Sequence, residues 1–137
     1  MPAQVTVLVP ATTANLGPGF DCLGMALDIW NSIEMSPGGT AGVHVEGEGE
    51  GILSTGTDNL VYRAAQRYFQ ESGTKMPPMS ISSRNQIPLA RGLGSSSAAI
   101  VGGLLAASAA AGDTPPDTDI LWRLAVDIEG HPDNVAA

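Results

Sequence analysis

Ser95, Ser96 and Ser97 stand directly behind Gly92-Leu93-Gly94 and directly ahead of an alanine- and leucine-rich run that reaches Ala111. Such a run favours helix, so the three hydroxyls fall in its first turn. That turn carries backbone N–H groups without partners and roughly half a positive charge. Gly92 and Gly94 let the chain turn tightly and bring those N–H groups against a ligand with no Cβ in the way. The chemistry predicted is anion binding, and the usual anion is phosphate. A serine hydroxyl can also serve a magnesium ion, which takes hard oxygen ligands. The competing reading is a serine-capped core helix behind an ordinary turn. Three serines exceed what capping needs.

Two further stretches carry unusual polar groups. Ala11–Gly24 contains Gly17, Pro18, Gly19 and Gly24, which forbid regular structure, yet it holds Asn15 and Asp21 beside the pinning residues Leu16, Phe20 and Leu23. Fixed loops with polar tips are where function is usually carried, although an Asx-turn loop is the plain alternative. Glu129-Gly-His-Pro-Asp-Asn134 sets four polar side chains on a non-helical segment, and Pro132 forces His131 out of the helical region. Here the plain alternative is a polar turn.

These groups need elements to hold them. Gln4–Pro10 alternates valine with polar residues and predicts a strand, as do Leu27–Met35, Val43–Glu48 and the extended Pro77–Ile87. Gly38-Gly39 is a turn, and His44, Glu46, Glu48 and Glu50 read as a solvated edge. Asp58–Ser72 predicts a helix capped by Thr57 or Asp58, with Val61, Ala64, Ala65 and Tyr68 buried and Gly73 ending it. Asp117–Glu129 predicts another, with Leu121, Leu124, Ala125 and Ile128 as its buried stripe.

At 137 residues the chain allows one domain with a real core. Hydrophobic residues make up 43% and charged ones 15%, which argues for a folded globule. A net charge of −8 disfavours nucleic acid and anionic membrane as partners, so a phosphate must be held by local dipoles and magnesium. One cysteine excludes an internal disulfide and fits a reducing cytosol. No export signal stands at the start, and the apolar run Ala98–Ala111 is too broken by small residues to span a membrane. Nothing in Val135-Ala-Ala137 closes a domain, which reads as a fragment of a longer chain.

The serine loop is not a Walker loop, since no lysine follows its glycines. Nor is it the dinucleotide fingerprint, whose third glycine is replaced by Ser97. Pro88-Leu-Ala-Arg-Gly-Leu-Gly-Ser-Ser-Ser-Ala-Ala99 resembles the ATP loop of the GHMP kinases. The stretches Pro10–Gly24 and Glu129–Ala136 are similar to the other two motifs of the branch of that family that phosphorylates L-homoserine. The resemblance covers Val5–Ala137 and implies ATP, Mg²⁺ and L-homoserine as ligands, a cytoplasmic location, and only the N-terminal half of such a kinase. Assembly as a homodimer stays open.

By that resemblance Asn15 and Asp21 contact the amino-acid part of the substrate, and His131 and Asn134 complete its pocket. Pro88, Arg91, Gly92, Leu93, Gly94, Ser95, Ser97 and Ala98 surround the phosphates, Asn59 lies near adenine, and Ser96 and Glu129 hold magnesium. Asn134 orients the attacking hydroxyl, with Asp133 or Asp21 as candidate bases. Where the family often has a lysine two residues ahead of its Ile-Pro, this chain has Asn85. The implied fold is α+β, a mixed sheet with helices on one face like domain 2 of ribosomal protein S5, including a left-handed βαβ crossover. A kinase of shikimate or mevalonate type is the sibling alternative; a non-catalytic nucleotide-binding module is the alternative of another class.

Overall fold

Val5, Val7 and Val9 turn inward along β1, Val5–Ala14, which pairs antiparallel with β2, Gly24–Pro37. The structure, a computed structural model, describes residues 4–14, 24–113 and 115–130. β1 runs past the predicted end at Pro10. A register shift lies there, after which Ala11 pairs with Leu27 and Ala14 with Gly24. Pro10 has no N–H to continue the ladder, and the bulge absorbs that loss.

β3, Gly42–Gly47, leads through α1, Leu60–Ser72, to β4, Met79–Asn85. β4 inserts between β2 and β3, antiparallel to the first and parallel to the second, so the sheet order is β1-β2-β4-β3. The result is a mixed four-stranded sheet. α2, Ser95–Ala110, lies against β1 and β2, α1 touches β3, and α3, Thr118–Glu129, stacks on both helices. Val9, Ile33, Met35, Val43, Met79 and Ile81 are buried beneath the helices, while Leu8, Trp30 and His44 are exposed.

α1 begins later than its pattern predicted. Asn59, not Thr57 or Asp58, is its cap: Oδ1 accepts the Val61 N–H at 2.9 Å. Asp58 is instead bonded by the Ser54 hydroxyl. α1 buries the predicted Val61, Ala64, Ala65 and Tyr68 and ends at Gly73 in the left-handed region. In α3, Asp117 caps, Leu124 and Ala125 are fully buried, and Leu121 and Ile128 pack partly against the core.

α2 carries no one-sided apolar stripe: ten of its residues are buried, and Ala99, Val101, Leu105 and Ala109 are half-buried. A Cβ on Gly102 would stand 2.3 Å from Ile33 Cδ1, and one on Gly103 would stand 2.6 Å from the Val61 carbonyl oxygen. Adjacent glycines therefore let the helix approach the sheet and α1 at once. This holds the middle of α2 close against the sheet and α1.

Candidate functional site

The segment between β4 and α2 is held at both ends. Beyond Asn85 the N–H groups of Gln86 and Ile87 both donate to Asn31 Oδ1, at 2.9 and 3.0 Å. Before α2 the Leu93 carbonyl accepts the Thr12 N–H of β1 at 2.9 Å. Between these ties Ala90, Gly92 and Gly94 adopt φ of 55, 68 and 73°. Gly92 and Gly94 thus take the left-handed turns that glycine makes easily, and Ala90 shares that conformation. Pro88 and Leu93 are half-buried, and Arg91 and Gly92 are exposed.

Gly94 is the N-cap of α2, and among the described residues no side chain caps the helix. The three serines lie inside the first turn, so the plain serine cap is not how this chain folds. Ala98 makes the first intrahelical bond, to the Gly94 carbonyl at 2.9 Å. The N–H groups ahead of it have no intrahelical acceptor and carry the positive end of the dipole. Ala98 itself is buried.

Ser96 and Glu129, 33 residues apart, meet where the end of α3 reaches the start of α2. Ser96 Oγ lies 3.3 and 3.4 Å from the two carboxylate oxygens. Ser97, buried at 2% exposure, donates to Glu129 Oε1 at 3.2 Å. Its hydroxyl is therefore engaged with the carboxylate, while Ser96 stays exposed. Among the described residues no group of three or more His, Cys, Asp or Glu side chains could hold a metal by itself. One carboxylate and one hydroxyl with an open side do fit Mg²⁺, which draws its remaining ligands from phosphate and water.

A cavity of about 260 Å³ opens beside the loop, walled by Asn31, Leu53, Asn59, Asn85, Ser95 and Ser96 among others. Asn59 belongs to that wall, but its amide is spent locally: Nδ2 donates to the Ser54 carbonyl at 2.8 Å. Asn85 also turns to the fold, donating to the Glu48 carbonyl and accepting from the Ser83 hydroxyl, both at 3.0 Å. Three of the chain's six cations are paired away from the loop. Arg123 and Arg67 bind Glu71 at 2.9 and 3.4 Å, and Arg84 binds Glu46 at 3.2 Å. The hydrogen bond and charge of Arg123 hold the Glu71 carboxyl below its ordinary range. Among described acids none pairs with Arg91.

The predicted Asn15, Asp21, His131, Asp133 and Asn134 lie outside the described residues. Sequence reasoning missed Asn31 and Thr12. Asn31 carried a signal: it is a polar residue in the inward row with Ile33 and Met35. Thr12 carried none, because its bond is made by the backbone.

The model of the GHMP kinases N terminal domain matches residues 59–137. A homoserine kinase of Carboxydothermus hydrogenoformans is 49% identical over 134 residues, covering 97% of this chain and 44% of that protein. One from Synechocystis sp. is 49% identical over 135 residues, with 96% and 44% covered. The crystal structure of homoserine kinase from Cytophaga hutchinsonii superposes with a TM-score of 0.83 at 30% identity, over 99% of this chain and 46% of that one. Mevalonate kinase of Methanococcus jannaschii shares the fold, with a TM-score of 0.75 at 16% identity over 98% of this chain and 50% of that one. The chain spans less than half the length of the curated relatives it matches.

Proposed function

The chain belongs to the GHMP kinase family, and from that premise we propose that it is the nucleotide-binding part of a longer enzyme that phosphorylates L-homoserine. The reaction moves the γ-phosphoryl group of ATP to the side-chain hydroxyl, giving O-phospho-L-homoserine and ADP. The observation that carries this is the meeting of Ser96, Ser97 and Glu129 at the uncapped start of α2. Phosphates and a carboxylate-bound cation suit the same few ångströms of surface there.

Phosphoryl transfer needs positioning and charge neutralisation more than covalent help. The first-turn N–H groups of α2 would receive the phosphates, and Gly92 and Gly94 bring no side chain into their way. Ser96 and Glu129 would hold Mg²⁺, which when bound neutralises charge on the β- and γ-phosphates. The cavity beside Asn59, whose apolar lining includes Ile33, Val45, Leu53, Ile87 and Leu89, suits the flat face of adenine. Asn15, Asp21, His131 and Asn134 would receive the amino acid, with Asn134 orienting the attacking hydroxyl. Asp133 and Asp21 remain the candidates for accepting its proton. A reducing cytosol suits the single cysteine, Cys22.

A zwitterionic acceptor calls for a cation at its carboxylate, and bidentate arginine is the usual one. Arg67, Arg84 and Arg123 are tied to acids, Arg63 and Lys75 are exposed on α1 and in the segment after it, and Arg91 stands on the phosphate loop. We place that clamp outside residues 1–137. Coupled measurement of ADP release tests both statements. The full-length protein should respond to L-homoserine at least a hundredfold more than to shikimate or mevalonate, and residues 1–137 alone should stay silent. Preference for another alcohol would overturn the substrate; homoserine-dependent turnover by the isolated chain would overturn the placing of the clamp.

A further inference from the structure

We infer that Asn31 is a positioning residue for the phosphate loop, fixing through one oxygen the point at which the chain leaves the sheet. It sits in the inward row of β2, where Ile33 and Met35 follow it at period two, and only 5% of it is exposed. A buried amide is unfavourable there unless it is bonded. In register Asn31 faces Asn85, the last residue of β4. The next two N–H groups, of Gln86 and Ile87, are the donors that the end of the ladder would leave unpaired. Asn31 Oδ1 accepts both. One carbonyl oxygen has two lone pairs, so two successive donors match its capacity.

The consequence reaches the serines. Gln86–Leu93 is held at its start by Asn31 and at its end by Thr12, residues on the two strands of one hairpin. Ala90 keeps a left-handed conformation within that span, which L residues hold only where their surroundings over-determine it. Loss of the first tie would free the entry to the loop and blur the position of the first-turn donors. Asn31 also lines the cavity beside the loop, so the same side chain touches the proposed base pocket.

The functional half of this inference rests on the nucleotide site proposed above; the geometric half needs no ligand. Asn31→Leu keeps the size and removes the acceptor, whereas Asn31→Asp keeps an acceptor for both donors. In the full-length protein, amide hydrogen exchange at Gln86 and Ile87 should quicken at least tenfold in Asn31→Leu and stay near wild type in Asn31→Asp. Asn31→Leu should also raise KM for ATP on the order of tenfold and leave KM for homoserine unchanged. If the leucine variant does not fold, Asn31→Ser, whose shorter hydroxyl cannot span both donors, replaces it. Unchanged exchange, or quickened exchange with an unchanged KM for ATP, overturns the inference, as does Asn31→Asp behaving like Asn31→Leu. A wild-type protein that bound no ATP would count against the proposed function, and the exchange data would still decide whether Asn31 holds the loop.

Discussion

Gly94→Val should weaken nucleotide binding by the full-length protein at least about a hundredfold, or ~2.7 kcal/mol, while leaving the fold in place. Gly94 caps α2 at φ 73° and ψ 35°, a left-handed conformation. For a residue with a Cβ that region costs roughly 1–2 kcal/mol, and a β-branched residue is a more serious outlier there. Valine would either strain the cap or flip it, and in both cases a methyl-bearing side chain enters the space kept open for phosphate. The body of the fold should hold, since α2 packs closely on the sheet and on α1 at Gly102 and Gly103, away from the cap. Gly94→Ala should fall between the two. Calorimetric titration with ATP and thermal melting separate the effects: a normal Kd in a folded valine variant would remove the loop from the site.

Glu129→Gln should retain ATP binding and lose about 10³-fold in kcat, equivalent to ~4 kcal/mol of transition-state stabilisation. The amide is nearly isosteric and still accepts from Ser96 or Ser97, so the junction of α2 and α3 should survive. What it lacks is the negative charge that a divalent cation needs from a single protein carboxylate. Raising the Mg²⁺ concentration should restore part of the rate, because a weakened site fills by mass action. Steady-state kinetics over a magnesium series would show this. Near-normal turnover in the variant would make Glu129 an ordinary helix-ending residue.

Much of this site could be read before the fold. Glycines at 92 and 94 ahead of three hydroxyls predict a tight turn into a helix whose first turn carries the serines, and the loop has that conformation; that Gly94 itself is the cap was not predicted. The strands and the buried stripe of α1 were legible from alternation and helical spacing, because their faces are set by one sheet and its cover. Long-range geometry was not. Ser96 and Glu129 are brought together by the packing of α3 on α2, which no spacing encodes; only the family resemblance pointed to the pair. β1 was read too short because Pro10 breaks the pattern, although the bulge lets pairing resume at Ala11. The cap of α1 fell on Asn59 rather than its neighbours because the Ser54 carbonyl and the Val61 N–H bind both ends of its amide. That choice is made by the loop before the helix, not by capping preference.

Phosphorus NMR on the full-length protein with ATP, Mg²⁺ and L-homoserine tests the central claim most directly. The γ-phosphate signal of ATP should be replaced by ADP and by one phosphomonoester signal whose phosphorus couples to the protons on the homoserine carbon that bore the hydroxyl. ADP accompanied only by inorganic phosphate, or a spectrum that does not change over many hours, would contradict it.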